Sequence, residues 1–389
     1  MLEYLKRSAG RLIRKNRELS TYRHWKRKLA GDPLFDLSNV DRGLQARRSS
    51  PTLTQEQRTA AAQRVIDAYR RAHVDLAPQR SVYKVSNEWI PIYNEQLRPL
   101  LAALEKGSAA ELRDLLDNFF RSSISQGLCG LAKDMTGLFF ERKPSRYMRM
   151  QMLIDSVFRY RLLEKLLPGT QPSDLHVENI GNPYGIYVGS DFVRTGADYQ
   201  YYYAKRISNM LAGKRDHPLV AELGGGIGGF AYFLNKVHPN GMTYLNLDLP
   251  AVLCISTYQL LNLFPDKRFL LYGERERVDN SVIAADDIAL MPSFVIESLD
   301  ENSVDISFNS YSLAEMDHPS IENYASHLSR ITRQAIMHVN HVSQALVGAD
   351  SFAFDLAKFE IVDRTQALWN LGRNRQCDEY EFLLARRVA

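Results

Sequence analysis

The 389-residue sequence predicts an α/β protein: a largely parallel sheet that ends in an antiparallel strand, preceded by a mostly helical region. Three observations carry that expectation. From Leu219 onward, short apolar runs alternate with stretches of helical length, as βα repeats require. A glycine-rich turn, Gly224-Gly225-Gly226-Ile227-Gly228-Gly229, separates the first run from the first helical stretch. The last two β-patterned runs, 359–364 and 379–385, leave no room for a crossover helix of ordinary length, so they are expected to pair antiparallel.

The elements follow in order. Residues 1–31 hold ten Lys or Arg against Glu3 and Glu18, a net +8 in a chain of net +4, so the remainder carries −4. The body therefore does not read as a nucleic-acid binder. Within this basic tail Leu2, Leu5, Ala9, Leu12, Leu19, Tyr22, Trp25 and Leu29 recur at helical spacing. Such a stripe suits packing on the protein itself or on a partner subunit, a homodimer included; flanked by cations, it also suits an anionic membrane surface or a glycan-assembly complex. Residues 32–51 read as a linker, rich in Asp, Asn, Ser, Pro and Gly. Thr54-Gln55-Glu56-Gln57 is a capping-box pattern opening a helix through about Val74, and helical periodicity returns over 109–126 and 146–167. A short hairpin is expected at 186–188 and 191–193 around Gly189-Ser190, then a helix over 198–211. The sheet strands are expected at 219–223, 243–248, 268–272, 304–309 and 335–339, with helices to 238, over 250–263 and over 320–333. The expected division is a tail and linker (1–50), a helical region (51–175) and a catalytic domain (176–389), the helical region shaping a substrate pocket or a dimer interface.

No apolar run approaches the roughly 20 residues that a membrane span needs, and the basic N-terminus never develops the apolar core of a signal peptide. Cys129, Cys254 and Cys377 stand far apart without CxxC spacing, which argues for a reducing compartment, the cytoplasm by default, and against a structural zinc.

The glycine turn carries the chemistry. A glycine-rich strand-to-helix turn lets backbone approach a ligand, and Asp248, twenty residues past Gly228 at the end of the next apolar run, can accept both hydroxyls of a ribose. Gly224, Gly226 and Gly229 fit the dinucleotide spacing, whereas Gly224, Gly226 and Gly228 fit the GxGxG of S-adenosylmethionine enzymes. Glu222 decides between them: under the ligand, it suits the cationic amino group of a methionine moiety and would repel a pyrophosphate. Leu249 and Asn309, each at the end of an apolar run, complete the expected cofactor contacts with Glu222, Gly224, Gly225, Gly226, Gly228 and Asp248. Near the adenine the third strand is left open: Tyr272-Gly273 follow Asp248 at an ordinary interval, whereas Asp286-Asp287 precede another apolar stretch, Ile288-Ala289-Leu290-Met291, and Asp287 is the expected carboxylate.

Four stretches, Ile180-Gly181-Asn182-Pro183, Glu222 through Gly229, Leu247-Asp248-Leu249-Pro250 and Phe308 through Met316, together resemble the sugar O-methyltransferases of bacterial surface-polysaccharide and nonulosonic-acid biosynthesis, a branch of the class I S-adenosylmethionine-dependent methyltransferases. The resemblance covers about 175–389. It implies a Rossmann-like seven-stranded sheet of order 3-2-1-4-5-7-6, with cofactor and acceptor meeting at the carboxyl ends of the strands, and methyl transfer to a sugar hydroxyl of a glycan or its precursor. Methylation of a phenolic or polyketide hydroxyl, or a non-catalytic cofactor-binding subunit, are the competing readings. An amino methyltransferase of nucleic acids is disfavoured, because Asn309-Ser310-Tyr311 lacks the expected proline pair.

A sugar hydroxyl needs a general base. His318 is the first candidate, as an imidazole titrates near neutrality; His341 and Glu315 follow. Glu315 with Asp317 also offers hard oxygen ligands to Mg²⁺, but no third carboxylate accompanies them, so no metal is expected as a requirement. Tyr199, Tyr201, Tyr202 and Tyr203 cannot all face one pocket from one helix, so most are expected to be packing residues.

Overall fold

The computed structural model describes residues 2–46, 53–86, 89–128, 144–213, 216–238 and 241–387, with side chains from Asn16 onward in the first helix. Cys129, part of the linker and the tail's Leu2, Leu5, Ala9 and Leu12 side chains lie outside what is described. The helices are α1 (Leu2–Leu29), α2 (Leu37–Leu44), α3 (Gln55–Leu76), α4 (Arg98–Lys106), α5 (Ala109–Leu116), α6 (Arg146–Leu166), α7 (Ala197–Leu211), α8 (Gly229–Val237), α9 (Pro250–Leu263) and α10 (His318–Ile331). The strands are β1 (Gly185–Val188), β2 (Asp191–Arg194), β3 (Leu219–Leu223), β4 (Thr243–Asp248), β5 (Phe269–Leu271), β6 (Ile288–Pro292), β7 (Val304–Ser310), β8 (Thr332–His341), β9 (Phe359–Gln366) and β10 (Glu379–Arg386).

Strands β1 and β2 form the expected hairpin. The other eight form one sheet in the order β5-β6-β4-β3-β7-β8-β10-β9, parallel from β5 to β8, with β10 antiparallel to both β8 and β9. This is the expected order 3-2-1-4-5-7-6 with one strand, β5, added at the edge. Every residue of β3, β4 and β6 is buried, because helices cover both faces and each strand sends alternate residues to opposite sides. Val220, Tyr244, Leu290 and Phe308 join a core that continues through α9 into α3 and α6. Ala221, Leu245, Met291 and Ile336 pack on the other face under Ile321, Tyr324 and Leu328 of α10. The hydrophobic core thus runs unbroken from the N-terminal helices into the sheet.

Several local expectations change. The 32–51 stretch contains α2, capped by the Asp36 carboxylate on Ser38 N; at eight residues it is too short to show periodicity. It docks through Gly43, where a Cβ would meet the Gly185 carbonyl oxygen at 1.9 Å. The helix expected over 109–126 stops at Leu116 and gives way to 3₁₀ turns at Phe119–Arg121 and Ser123–Ser125, where Asn118, Ser122 and Ser123 favour turns over helix. The run at 268–272 is only the three-residue edge strand β5, and the third place in the sheet belongs to β6. Helix α10 begins at His318 because Asp317 caps it, accepting from Ser320 N at 3.0 Å. The Thr54–Gln57 capping box forms as its pattern predicts.

In the described half of α1 the apolar stripe faces inward. Trp25 and Leu29 are buried, Trp25 packs on Phe158 at 4.6 Å between ring centroids, and its indole N–H donates to Leu371 O at 3.0 Å. No helix among the described residues is long and apolar enough to cross a membrane.

Candidate functional site

The site forms where β3 and β4 end. Gly224 adopts φ +75°, a conformation that excludes most side chains, and a Cβ there would meet Ser312 Oγ at 2.2 Å. The turn is held by Gly224 N donating to Leu247 O at 2.8 Å and by Gly226 N donating to Asp248 Oδ2 at 2.9 Å. Asp248 Oδ1 accepts from Leu249 N at 2.7 Å, so one carboxylate fixes both the turn and the start of α9. Burial pushes the Asp248 carboxyl up to about 7, against the pull of these two N–H groups and with added repulsion from Glu315. Burial likewise pushes Glu222 up to about 8; the Tyr244 hydroxyl that donates to it works in the opposite direction, and Asp248 adds repulsion.

Glu222, Gly224, Gly225, Gly226, Asp248 and Leu249 line one compartment of about 160 Å³. Gly228 lies just outside it, at the N-terminus of α8. Asn309 is buried beneath the site rather than in its lining: its amide donates to Leu223 O at 2.9 Å and Ser312 Oγ at 2.6 Å, and its oxygen accepts from Asn340 at 2.9 Å. It fixes the loop after β7. Asp287 is not brought to the site. It stands at the amino end of β6, opposite the glycine turn, paired with Arg268 at 3.1 Å; the carboxyl end of β6 instead presents Ser293 to the compartment.

A second cavity of about 610 Å³ adjoins the first, and Tyr199, Gln200, Tyr311 and Glu315 line both. Two of the three candidate bases meet here. Glu315 lies between the compartments and accepts from Trp89 Nε1 at 2.7 Å. His341 lines the larger cavity, with Nδ1 3.0 Å from Asp378 Oδ1. Asp378 also accepts from Ser343 N at 2.8 Å and Gln344 N at 2.6 Å; burial would raise its pKa, but these bonds and His341 outweigh that and bring it down to about 2. His318, the first candidate from sequence, faces away: its side chain is 61% exposed, lies 3.5 Å from Glu322 and lines neither compartment. As the first residue of α10 it is carried outward by the helix that Asp317 caps. Asp317 is spent on that cap, and among the described residues no group of three or more His, Cys, Asp or Glu side chains comes together to hold a metal.

Several site residues were not singled out from sequence. Tyr311 is held at φ +67°, a strained conformation for a non-glycine that costs of order 1–3 kcal/mol. It is kept there by its N–H on Val339 O at 2.8 Å and its hydroxyl on Glu379 Oε2 at 3.0 Å. Tyr244, Asp378, Glu379, Trp89 and Arg159 carry no local pattern that could have marked them. Of the tyrosines on α7, Tyr201 is buried, as expected of a packing residue, Tyr203 is buried yet borders the smaller compartment, and Tyr199 reaches both cavities. The Gly-Asn-Pro stretch proves to be a docking turn: Gly181 O accepts from Phe120 N at 3.0 Å and Asn182 O from Arg121 Nε at 3.0 Å.

No protein-family model and no curated protein matches the chain. Among solved structures it is similar to a SAM-dependent methyltransferase from Aquifex aeolicus, at 11% identity and a TM-score of 0.32, over 50% of this chain and 94% of that one. It is similar also to a geranyl diphosphate C-methyltransferase from Streptomyces coelicolor, at 10% identity and a TM-score of 0.35, over 50% and 81%. A third is the magnesium protoporphyrin IX methyltransferase of Synechocystis, at 11% and 0.34, over 48% and 79%. Likeness at this level leaves the functional reading to the residues of the site.

Proposed function

We propose that the protein is an S-adenosylmethionine-dependent O-methyltransferase whose acceptor is a sugar hydroxyl of a bacterial surface glycan or its precursor. The observation that carries the cofactor is the pair of buried carboxylates, Glu222 and Asp248, around a turn with no room for a side chain at Gly224 or Gly225. Burial raises both above their ordinary pKa by disfavouring the charged form, so a ligand bearing an ammonium and a sulfonium matches the site where a pyrophosphate does not. When bound, that cofactor supplies an activated methyl group.

The chain's own residues must then align the acceptor and take its proton. We assign His341 as the base. With Nδ1–H donated to a carboxylate that stays ionised, Nε2 is left as the proton acceptor, and Asp378 stabilises the imidazolium that forms. Glu315 and the Tyr311–Glu379 pair stand at the junction of the two compartments, suited to orienting hydroxyls there. The sugar reading is supported by the larger cavity's mixture of aromatic rings (Tyr22, Tyr184, Trp369) with carboxylate, amide and guanidinium groups, which suits a polyhydroxylated ring better than a wholly apolar one. The test is methyl transfer from labelled cofactor to a panel of free sugars, nucleotide sugars, oligosaccharides and phenols. Label on a glycan that disappears with His341→Ala is the expected result; label on phenols alone overturns the sugar acceptor, and cofactor binding without turnover on any acceptor favours a binding subunit.

A further inference from the structure

Four residues between α3 and α4, namely Val82, Lys84, Ser86 and Trp89, line the smaller compartment although they stand far in sequence from the glycine turn. Two anchors seat them. Tyr83 is fully buried, its ring meets Tyr324 of α10 edge-on at 5.7 Å between centroids, and its hydroxyl donates to Glu297 Oε1 at 2.7 Å and accepts from Asn323 Nδ2 at 3.1 Å. Beside it, Ser320 Oγ donates to Val82 O at 3.2 Å. At the other anchor the indole N–H of the half-buried Trp89 donates to Glu315 Oε2 at 2.7 Å, which holds the ring in place. Glu315 borders both compartments, whereas Trp89 borders only the smaller. The indole therefore stands beside the junction, on its cofactor side.

We infer that Trp89 packs on the sulfur of the cofactor, its ring against the sulfonium and the methylenes beside it. The inference rests on the cofactor reading above. A methyl group passing from donor to acceptor must cross the junction, so the sulfur that carries it lies at that end of the smaller compartment. A sulfonium is a cation with apolar substituents, for which an indole face is the best aromatic partner; a neutral thioether keeps only the weaker sulfur–aromatic contact. Among the other aromatic residues that line the smaller compartment alone, Tyr203, Phe230, Phe308 and Tyr324 are buried in the core, while Trp89 is half-buried and keeps surface to offer a ligand. Tyr199 and Tyr311 line both cavities and form the walls of the passage between them. The charges in the lining suit a cation as well. Glu222, Asp248 and Glu315 are there, and Lys84, the only Lys, Arg or His among the described lining residues, donates to Ala77 O at 2.8 Å.

The experiment titrates the full-length chain with S-adenosylmethionine and with S-adenosylhomocysteine, at pH 8 and without acceptor, in the wild type, Trp89→Ala and Trp89→Phe. By calorimetry, Trp89→Ala should weaken the sulfonium ligand about tenfold, the size of a partly desolvated cation–π contact, and the thioether only about threefold; Trp89→Phe should recover most of both. Indole fluorescence gives a readout that a merely structural role would not move. The chain has three tryptophans, of which Trp25 packs on Phe158 and Trp369 lines the larger cavity. The change in emission on adding S-adenosylhomocysteine should therefore appear in the wild type and vanish in Trp89→Phe, which keeps the other two. This second arm stands even if Trp89→Ala destabilises the fold. Unchanged affinities in both variants, equal loss of the two ligands in a folded Trp89→Ala, no change in emission from a wild type that binds, or a change that survives Trp89→Phe overturns the contact while leaving the cofactor reading in place. If the wild type binds neither ligand, it is the cofactor reading itself that fails.

Discussion

The two compartments are built in opposite ways. The smaller is assembled mainly from consecutive strand ends: Glu222, Gly224, Gly226, Asp248 and Leu249 lie within 28 positions of one another, and parallel pairing of β3 with β4 brings them together. The larger draws its wall from α1, α6, the end of β2, the loop after β7, the end of β8 and the loop before β10. The residues proposed to hold the cofactor therefore come from one βαβ unit, although other segments complete that compartment's wall, whereas the proposed acceptor cavity draws on segments from the whole fold. Mutations in one compartment should leave the other's function measurable.

The largest expected effect is on turnover. His341→Ala should lower kcat by about 10²–10⁴-fold, the usual contribution of a general base, while S-adenosylhomocysteine binds as before; Asp378→Asn should show a smaller loss and a shifted pH–rate profile. Next is Gly224→Val, which must displace Ser312 and force a branched side chain to positive φ; calorimetry should show affinity for S-adenosylhomocysteine weakened about 100-fold, an effect near 3 kcal/mol. A loss of cofactor binding in His341→Ala as large as that in Gly224→Val would abolish the separation of the compartments.

An intermediate effect concerns pH. Glu222 and Asp248 have folded-state values of about 8 and about 7, above ordinary values of 4.5 and 3.8. Groups raised on folding stabilise the fold fully below their unfolded pKa, and that contribution is lost as pH rises through the folded pKa. Between pH 4 and pH 8 the thermal midpoint of the free protein should therefore fall from this pair. A cationic ligand favours the ionised carboxylates, so affinity for S-adenosylmethionine should rise about tenfold from pH 6 to pH 8, and the stabilisation it confers should grow over the same interval. Affinity that falls across that range would contradict the role given to the two carboxylates. The smallest effect is expected of His318→Ala: the side chain is exposed and its Glu322 contact lies at the surface, so turnover should stay within about twofold of wild type.

The same contrast explains what could be read from the chain. The glycine turn, Asp248 and the antiparallel end of the sheet were legible because each is a short-range pattern with one geometric solution. The sheet's third place was not, because both 268–272 and Ile288–Pro292 are apolar runs and only their pairing partners distinguish the edge strand from the inner one. Asp287 was misplaced for the same reason: a carboxylate preceding a strand falls at the end of the sheet opposite one that follows it. His318 and His341 look alike as residues; the helix cap at Asp317 turns the first outward, and the parallel extension of β8 delivers the second to the cavity. Tyr311, Asp378 and Glu379 gain significance only through contacts between segments tens of residues apart.

The most direct test is a pair of calorimetric titrations with S-adenosylhomocysteine, one on Asp248→Ala and one on His341→Ala, each against the wild type at pH 8. Loss of binding in the first with wild-type affinity in the second is the predicted result. Equal affinity in Asp248→Ala and wild type would contradict the account at its centre, for the carboxylate that holds the glycine turn would then not serve the cofactor at all.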